Sequence, residues 1–512
     1  MPFMHPPAGA IYSASQVRDL DRRAVDEFGI AGYELMTRAG TATLEALRAL
    51  WPSARSIAVL CGPGNNGGDG YVVARLARSH GLATRVVAVG DPESLAGDAR
   101  RAYDDFTAEG GRCEPWSPSV VQCDVIVDAI FGTGLARPVA GDAASIIAAV
   151  NASGRPVVAV DIPSGLNADT GAIQGVAVRA EVTVTFVGRK PGFYVGEGLD
   201  RVGRVLVDDL GVPRATFDGA IPAARLIGEG TIAEALPRRP RTAHKGGHGH
   251  VLVIGGGPGM PGAARLAGEA ALRAGAGLVT LAAHPDNAAI AATRPELMCI
   301  GAASPADLHA LLGRATIVAV GPGLGQGAWA ESLLEAALES GLPLVVDADA
   351  LNLLAASPRS FARWVLTPHP GEAARLLGIT GAAVQADRLG AARELQSRYG
   401  GVVVLKGAGS IVQPPGGPPW ICDRGNPGMA AGGMGDVLTG VIAAHLARGI
   451  APLDAALLGV HLHGLAGDLG AAAVGPWGLL ASEVADRIPA AVRRCAERRD
   501  DRPNPHLSLL VP

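Results

Sequence analysis

The sequence of 512 residues is poor in aromatic side chains, in net charge and in paired cysteines. Aromatic residues make up 4% of it, which disfavours a β-sandwich or β-barrel built from aromatic-rich strands. With 44 Lys and Arg against 48 Asp and Glu, the net charge of -4 predicts no nucleic-acid-binding surface and no acidic tail. The six cysteines include no C-x-x-C pair, so neither a zinc ribbon nor a disulfide framework is expected.

Signals for secretion and membrane insertion are also missing. The N-terminus has no basic stretch followed by an apolar stretch, and the sequence contains no run of 18 apolar residues. Scattered cysteines of this kind are typical of a reducing compartment. We therefore expect a cytoplasmic protein that has neither a membrane nor a nucleic acid as a partner.

Glycine, by contrast, is abundant. The chain has 71 glycines in 512 residues, about twice the usual ~7%. The Gly-X-Y period of collagen is absent and 48% of the residues are hydrophobic, so the excess is expected in the turns of a folded protein. The positions of these turns therefore indicate where function lies.

Short β-branched runs alternate with Ala- and Leu-rich segments of helical period. A capping box from Ser13 to Gln16 predicts a first helix that Gly29 can terminate. The predicted strands that follow are 56–60, 84–89, 124–129, 156–161 and 182–187, then 250–254, 278–282, 316–320, 344–347, 364–367 and 402–405. Continuous apolar strands separated by helices predict α/β folds, each with a parallel sheet covered on both faces.

The alternation lapses between Val212 and Gly246, a stretch rich in proline and arginine. Since the length calls for more than one domain, we place a domain boundary there. The prediction is an N-terminal domain over residues 1–220 and a C-terminal domain over residues 225–505. The two halves are not obvious repeats, which favours a fusion over a duplication.

A glycine loop follows the first predicted strand. It contains a literal G-x-G-x-x-G at Gly62, Gly64 and Gly67, and Asp91 ends the next strand where a ribose-binding acid is expected. This pattern makes a hydride-transferring Rossmann enzyme the first hypothesis. However, the positions between the glycines are Asn65 and Asn66, and side-chain oxygens of this kind suit a hard cation or a sugar hydroxyl.

Two further strands of the first half end in a carboxylate followed by small residues. These segments run from Asp128 to Leu135 and from Asp161 to Leu166. Because neighbouring parallel strands lie ~4.8 Å apart, Asn66, Asp128, Asp161 and Ser164 can converge on one crevice. Each Asp alone is equally explained as a helix N-cap, and the convergence of several polar groups favours a site.

The strongest feature of the second half is the glycine-rich segment from Gly425 to Gly440, which runs into a helix. Freed backbone N–H groups at a helix N-terminus form an anion hole for a phosphoryl group, and Asp436 would lie beside it as a general base. Lys406 follows another strand and offers a cation to a nucleotide phosphate, while His369 lies in a Pro-bracketed loop. The sequence has no G-x-x-x-x-G-K-[ST], which excludes an ordinary P-loop kinase.

In this order and over nearly the whole chain, these motifs resemble the family of bifunctional NAD(P)H-hydrate repair enzymes. The segments 62–70, 128–135 and 161–166 resemble the epimerase half, and Gly255 onward resembles the ADP/ATP-dependent dehydratase half. The G-A-G-D signature of the ribokinase-like superfamily is similar to Gly433-Met434-Gly435-Asp436 here, with Met434 in place of Ala. The resemblance implies a Rossmann-like three-layer α/β domain followed by a ribokinase-like α/β domain.

For the first half, the resemblance implies epimerisation of the R and S hydrates of NADH and NADPH, with Asp161 as the acid/base residue. The substrate-binding positions it implies are Asn65, Asn66, Gly67, Gly68, Asp69, Gly132, Thr133, Gly134, Leu135, Ala136, Arg137, Pro138 and Asp161. It also implies potassium as a cofactor, held at Asn66, Asp128 and Ser164.

For the second half, the resemblance implies a lyase that phosphorylates the S hydrate and then eliminates phosphate, with Asp436 as the base and Mg²⁺ as cofactor. ADP or ATP would supply the phosphoryl group, with a leaning to ADP. The implied nucleotide-binding positions are Lys406, Gly407, Ala408, Gly409, Ser410 and Gly435, and those contacting the hydrate are Ala263, Gly323, His369 and Asp436. The expected partners are these small molecules and further copies of the chain in a homo-oligomer.

Two rival hypotheses keep the fold and change the function. One is a vitamin or sugar kinase fused to a non-catalytic nucleotide-binding module. The other makes the first half a binding module, as in animal relatives that can bind apolipoprotein. The convergence of Asp161, Asn66 and Asp128 disfavours the second rival, because a scaffold does not need a polar crevice.

Overall fold

The computed structural model describes residues 9–135 and 137–500, apart from the side chains of residues 290–293 and 498–500. The chain divides into two compact units, Met1–Arg225 and Leu226–Pro512.

The first unit alternates strands and helices. Its strands are β1 (Ala10–Ile11), β2 (Ser56–Cys61), β3 (Ala83–Ala88), β4 (Val125–Ala129), β5 (Val157–Val160), β6 (Val182–Phe186), β7 (Arg204–Asp208) and β8 (Ala224–Leu226), the last of which begins in this unit. Its helices are α1 (Ala14–Asp26), α2 (Gly32–Leu50), α3 (Asn65–Ser79), α4 (Gly97–Ala108) and α5 (Gly141–Ala152).

Six strands of this unit form one parallel sheet in the order β3-β2-β4-β5-β6-β7. The chain leaves β2 toward β3 on one side and returns to β4 on the other, so the strand order reverses between β2 and β4. Ligands of open α/β sheets bind at such a reversal, beyond the carboxyl ends of the strands. The loops after β2, β4 and β5 therefore meet at the expected place.

Both faces of this sheet are buried. Ile57 and Val59 of β2 belong to one hydrophobic cluster, whereas Ala58 and Leu60 belong to another. Successive side chains of a strand point to opposite faces, so the two clusters lie above and below the sheet. The predicted three-layer α/β architecture is confirmed for this unit.

The predicted first helix is also confirmed. The Ser13 side chain accepts a hydrogen bond from the Gln16 N–H at 3.2 Å, and the Gln16 side chain accepts one from the Ser13 N–H at 3.0 Å. The helix ends at Asp26, three residues before Gly29, which has φ +69°. Val17, Leu20 and Ala24 face the core.

The second unit repeats the alternation with more helices. Its further strands are β9 (His250–Ile254), β10 (Leu278–Ala283), β11 (Met298–Gly301), β12 (Ile317–Val320), β13 (Leu344–Val346), β14 (Trp364–Leu366), β15 (Val402–Leu405), β16 (Ser410–Gln413) and β17 (Trp420–Cys422). Its helices are α6 (Glu229–Ala235), α7 (Pro261–Ala274), α8 (Pro305–Leu312), α9 (Ala328–Glu339), α10 (Ala348–Ala356), α11 (Pro370–Leu377), α12 (Gly381–Ala386), α13 (Arg388–Tyr399), α14 (Met434–Ala447), α15 (Pro452–Val474) and α16 (Ala481–Asp500).

These strands follow the order β17-β16-β15-β14-β13-β12-β9-β10-β11. The strands from β15 to β11 are parallel, and the order reverses between β12 and β9. The predicted parallel sheet is confirmed, and it is extended by β16 and β17, two strands that were not predicted and that pair antiparallel beside β15. They arise from short connections that leave no room for the crossover helix that parallel pairing requires.

The helix α15 is long and apolar enough to cross a membrane by length and composition, but 67% of its apolar window is buried within the structure. Leu458, Leu462 and Leu465 of this helix lie in the main hydrophobic cluster of the second unit. It therefore has the character of a core helix.

The stretch 212–246 is less irregular than its sequence suggests. It contains β8 and the short helix α6, whose Ile232 and Ala233 are buried. Both elements are too short to show a clear hydrophobic period.

Candidate active sites

A cavity of about 730 Å³ opens at the strand-order reversal of the first unit. Nine of the predicted substrate-binding residues line it: Asn65, Asn66, Asp69, Gly132, Thr133, Gly134, Leu135, Arg137 and Asp161. Gly67 and Gly68 lie buried in the first turn of α3, and Pro138 is exposed beyond the loop after β4. Ala136 lies outside the described residues.

Two of the three glycines of the G-x-G-x-x-G motif, Gly62 and Gly67, allow close backbone contact, whereas a Cβ on Gly64 would meet nothing within 4 Å. A Cβ on Gly62 would lie 1.7 Å from the Ile130 carbonyl oxygen, and one on Gly67 would lie 2.0 Å from the Gly62 carbonyl oxygen. Gly62 therefore lets the loop after β2 approach the loop after β4, and Gly67 lets the start of α3 pack against Gly62. Asp91 instead caps the 3-10 turn Pro92–Ser94, accepting from the Glu93 N–H at 3.0 Å.

A buried polar cluster lies at the ends of β4 and β5. Asp128 accepts from the Ser164 hydroxyl at 2.6 Å and from the Ser164 N–H at 2.8 Å, and both residues are fully buried. Burial raises the pKa of Asp128 to about 6, although hydrogen bonds from Ser164 and Ile130 act in the opposite direction. Beside Gly132 lies Asn66, whose buried amide oxygen and nitrogen have no hydrogen-bond partner among the described residues.

Asp161 follows β5 with a left-handed backbone, φ +65°, an unusual conformation for a residue other than glycine. Its Oδ1 accepts from the Lys190 Nζ at 2.6 Å and from the Thr185 hydroxyl at 3.2 Å. Lys190 is fully buried, and its ammonium also donates to the Thr185 hydroxyl oxygen at 2.6 Å and to the Phe186 carbonyl oxygen at 3.3 Å. One carboxylate oxygen of Asp161 is thus fixed beneath the cavity.

Two more carboxyl groups face the same cavity. Burial raises the pKa of Asp21 to about 6, with Asp161 adding to the rise and Lys190 opposing it. Burial, followed by the charges of Asp161 and Asp21, raises the pKa of Asp69 well above its usual range. The cavity therefore combines a carboxylate paired with a lysine and two neighbouring carboxyl groups whose pKa values are raised.

In the second unit, a buried ion pair links the ends of β13 and β15. Lys406 Nζ lies 2.5 Å from Asp347 Oδ1, and the Thr439 hydroxyl of α14 donates to Asp347 Oδ2 at 2.8 Å. Burial favours an uncharged Lys406, but the charges of Asp347 and Glu372 outweigh it and its pKa is raised. Burial likewise opposes charge on Asp347, but Lys406 outweighs it and the pKa of Asp347 is lowered.

The helix α14 starts beside this ion pair. Its N-cap, Gly433, has φ +87°, and no side chain caps the first turn. Asp436 lies in that turn, and burial, followed by the charge of Asp347, raises its pKa to about 7. A Cβ on Gly435 would lie 3.2 Å from Lys406 Nζ, so the first turn directly adjoins the lysine.

The backbone of the loop after β15 is hydrogen-bonded by Arg388, which is almost fully buried. Its guanidinium donates to the Lys406 carbonyl oxygen at 3.1 Å and to the Leu405 and Gly409 carbonyl oxygens at 3.5 Å. The Ser410 hydroxyl donates to the Gly407 carbonyl oxygen at 2.9 Å. The predicted nucleotide-binding positions of this loop thus lie on a rigid support, with Lys406 at its start.

The remaining predicted residues fall into two places. His369 caps α11, its Nδ1 accepting from the Gly371 N–H at 2.9 Å, and its side chain is 55% exposed. Its neighbour Glu372 lies 3.6 Å from Lys406 Nζ, which connects this loop to the ion pair. A Cβ on Gly323 would lie 3.1 Å from the Ala263 Cβ, so these two residues are adjacent at the reversal between β9 and β12.

Several residues of these sites were not predicted as functional. Lys190 and Asp21 in the first unit, and Asp347, Thr439 and Arg388 in the second, bind or face predicted residues. Asp347 ends an apolar run, which was a usable signal. Lys190 and Asp21 carry no local signal, because their partners are distant in sequence.

Comparisons with known proteins match both halves of the chain. Residues 32–192 match the family described as YjeF-related protein N-terminus, and residues 251–490 match the family described as NAD(P)H-hydrate dehydratase. A bifunctional NAD(P)H-hydrate repair enzyme of Coxiella burnetii is 48% identical over 476 residues, covering 93% of this chain and 97% of the relative. The bifunctional NAD(P)H-hydrate repair enzyme of Escherichia coli is 44% identical over 479 residues, which cover 93% of this chain and 92% of that relative.

Among solved structures, a ribokinase-like superfamily protein from Enterococcus faecalis is 29% identical with a TM-score of 0.50. The alignment covers 54% of this chain and 97% of that protein. The ribokinase-like fold predicted for the second half is confirmed. Since the curated relatives align over nearly their whole length and both halves match, the chain belongs to the family of bifunctional NAD(P)H-hydrate repair enzymes, which join an epimerase to an ADP/ATP-dependent dehydratase.

Proposed function

We propose that the two sites divide the repair of hydrated nicotinamide cofactors, with Asp161 as the acid/base residue of epimerisation and Asp436 as the base of dehydration. The observation that carries this assignment is that each Asp adjoins a buried lysine at the carboxyl end of a parallel sheet. Asp161 is 17% exposed and can reach a ligand, whereas its partner Lys190 is fully enclosed. Lys406 is 15% exposed, so it can reach a nucleotide phosphate beside Asp436.

In the first unit, the substrate would occupy the cavity, with its hydrated ring over Asp161. Asn65, Asp69 and the loop 132–138 would hold its ribose and phosphates. This is supported by the lining of the cavity, which joins backbone N–H groups at the start of α3 to the Asp161 carboxylate.

Potassium fits the polar cluster behind this cavity. Asn66 offers an unpartnered buried amide oxygen, and Asp128 is a fully buried carboxylate with no cationic side chain bonded to it among the described residues. Together with the Ser164 hydroxyl these are oxygen donors of the kind that hard cations prefer. When bound, the ion would supply positive charge that fixes the loops after β2, β4 and β5 around the substrate.

In the second unit, Asp436 would accept the proton of the hydrate hydroxyl as a nucleotide phosphoryl group is transferred to it. Hydroxide is a poor leaving group and phosphate a good one, so elimination of phosphate then restores the dihydropyridine. The backbone N–H groups at the start of α14 would stabilise the transferring group, since no side chain caps them. Lys406 to Ser410 and Gly435 would bind the nucleotide, and Ala263, Gly323 and His369 would contact the hydrate.

Magnesium is the metal that suits this half. No preformed cluster of three acidic or His/Cys side chains occurs among the described residues, but Mg²⁺ is commonly held by one or two carboxylates together with substrate phosphates. Asp347 is a carboxylate beside the helix N-terminus, and the nucleotide phosphates would supply further oxygen ligands. When bound, the ion would offset the charge of the phosphates.

We also propose a cytoplasmic homo-oligomer. The six cysteines are all free thiols, which suits a reducing compartment. Trp477 is 92% exposed and Leu480 59%, which would suit contact between copies. Sedimentation velocity of the purified protein tests the assembly.

The test of the function is direct. The protein is incubated with a mixture of the R and S hydrates of NADH and either ADP or ATP, and the recovery of dihydronicotinamide absorbance is followed. We expect complete recovery with at least one nucleotide, and faster recovery with ADP. Phosphorylation of a vitamin alcohol in place of the hydrate would instead support the kinase alternative.

A further inference from the structure

The helix α1 places a carboxyl group in the epimerase cavity that no comparison assigns. Asp21 lines the cavity together with Arg18 and Arg22 of the same helix. This helix precedes residues 32–192, which match the N-terminal family. Its position is fixed by the Ser13 capping box and by Val17, Leu20 and Ala24, which are buried on the adjacent face.

Asp21 and Asp161 face the same buried ammonium but differ in their contact with it. Lys190 has its three protons directed to Asp161, Thr185 and the Phe186 carbonyl oxygen, which leaves none for Asp21. Asp161 is therefore the ion-paired carboxylate of the cavity. Burial raises the pKa of Asp21 to about 6, so Asp21 retains a proton under conditions in which an ordinary Asp has lost it.

Epimerisation of the hydrate needs both a proton acceptor and a proton donor. Water adds to the enamine-type double bond of the reduced ring so that the hydroxyl is on the carbon bonded to the ring nitrogen. Inverting that carbon by ring opening requires removal of the hydroxyl proton, formation of a C=O bond and cleavage of the C–N bond. The nitrogen keeps the electron pair of the broken bond and takes up a proton.

We propose that Asp21 is a second catalytic residue of the epimerase, which donates a proton to the ring nitrogen while Asp161 accepts the hydroxyl proton. This inference rests on the proposed function of the first unit. Rotation of the resulting aldehyde followed by the reverse transfers closes the ring on its other face. Each proton then returns to its original carboxyl group, so the cycle needs no oxidant and no co-reactant. Lys190 acts as a positioning residue, because it holds Asp161 and is too enclosed to reach the substrate.

The charged groups that line the cavity with Asp21 or act on its charge come from several elements. They are Arg18 and Arg22 on α1, Asp69 on α3, Asp98 on α4, Arg137 after β4, Asp161 after β5 and Lys190 after β6. Because a proton donor works only while protonated, the epimerisation rate should fall as pH rises through about 6.

The experiment uses the full chain without nucleotide, so that the dehydratase is silent. The R hydrate of NADH is purified by chromatography, and appearance of the S hydrate is followed over a pH series after subtraction of the spontaneous rate. In Asp21→Asn we expect a loss of about 100-fold or more and no remaining fall in rate through this pH range. Asp26→Asn, an exposed Asp of the same helix, should keep the wild-type rate and pH profile.

Stability separates a catalytic role from a structural one. The pKa of Asp21 in the folded state is above the ordinary 3.8, so at pH values above 3.8 the ionisation of Asp21 lowers the free energy of unfolding. Asn does not ionise, and Asp21→Asn removes this loss of stability. Asp21→Asn should therefore melt at the same temperature as the wild type or higher at neutral pH. A slow variant with a lowered melting temperature would indicate a structural role and overturn the proposal.

The outcomes distinguish this inference from the proposed function. If neither the wild type nor Asp26→Asn speeds the conversion of R to S, the epimerase assignment itself is wrong. If both do and Asp21→Asn is equally fast with the same pH profile, only the assignment of Asp21 is overturned. Should the variant not fold, a wild-type rate that does not fall as pH rises through about 6 overturns it.

Discussion

At the scale of single residues, the two sites share one arrangement. A carboxylate at the end of a central strand pairs with a buried lysine that follows another strand, as Asp161 with Lys190 and Asp347 with Lys406. The charge of each lysine would be costly to bury alone, and pairing with a carboxylate offsets part of that cost and fixes both side chains in place. Carboxyl groups beside each pair have raised pKa values, among them Asp21 and Asp69 in the first unit and Asp436 in the second.

Removing the first lysine tests this arrangement. In Lys190→Met the carboxylate of Asp161 loses its partner while Asp21 and Asp69 remain close, so we expect a loss of about 3 kcal/mol in unfolding free energy. Epimerisation should fall as well, because Asp161 is no longer fixed. Urea unfolding measures the first effect, with the exposed Lys245→Met as the control. Equal stability of the two variants would show that the buried pair contributes little.

The second pair makes a prediction about pH. Deprotonated Asp436 is the active form of the proposed base, so kcat/KM for dehydration of the S hydrate should rise with pH through about 7. In Asp347→Asn one negative charge that raises the pKa of Asp436 is gone, and the rise should move to lower pH. The exposed Asp423→Asn serves as the control. An unshifted profile in Asp347→Asn would show that its charge does not act on Asp436.

At the scale of elements, glycine determines how closely loops and helices approach. The start of α14 needs Gly433, whose left-handed backbone lets the chain enter the helix with its first N–H groups uncapped. A Cβ on Gly440 of the same helix would lie 2.0 Å from the Ala267 carbonyl oxygen of α7, so the backbones of the two helices are in contact. These two helices carry the proposed phosphoryl site and the Ala263 position.

Two adjacent glycines provide a matched test of this element. A Cβ on Gly433 would lie 2.7 Å from the Leu266 side chain and add left-handed strain, whereas a Cβ on Gly432 meets nothing within 4 Å and φ there is ordinary. Gly433→Ala should lose about 1–3 kcal/mol of unfolding free energy, together with nucleotide-dependent activity. Gly432→Ala should keep both. Indistinguishable unfolding midpoints and rates would contradict the role given to Gly433.

Many of the helices and strands were predictable from the sequence. The capping box of α1 depends on residues within one helical turn, and the strands are recognised from short apolar runs. Both predictions were confirmed. The antiparallel strands β16 and β17, and the helix α6, were missed. Each is shorter than the window over which a hydrophobic period is recognisable.

At the scale of the whole molecule, the two proposed catalytic Asp residues lie in different compact units. Asp161 belongs to Met1–Arg225 and Asp436 to Leu226–Pro512. The epimerase supplies the S hydrate that the dehydratase consumes, so the fusion keeps both activities in a fixed ratio. Each site is built from the strands of its own unit, and the two activities should therefore be separable by single substitutions.

This separation is tested by two variants. Asp436→Asn should abolish nucleotide-dependent dehydration and leave the R to S conversion at the wild-type rate. In Asp161→Ala, dehydration should proceed until the S hydrate is exhausted and then continue only at the spontaneous rate of epimerisation. Recovery of dihydronicotinamide absorbance and chromatography of the epimers measure the two steps. Loss of both activities in a folded Asp436→Asn variant would contradict two independent sites.

The sequence by itself determined the α/β class, the family and the loops that carry Asp161 and Asp436, because these depend on local periodicity and on contiguous glycine motifs. It did not reveal that Lys190 and Asp21 face Asp161, or that Asp347 pairs with Lys406. These partners are separated by between 29 and 140 positions, and only the strand order brings them together. The excess of glycine was visible at once, but the raised pKa values of Asp21, Asp69 and Asp436 depend on burial, which only the tertiary structure decides.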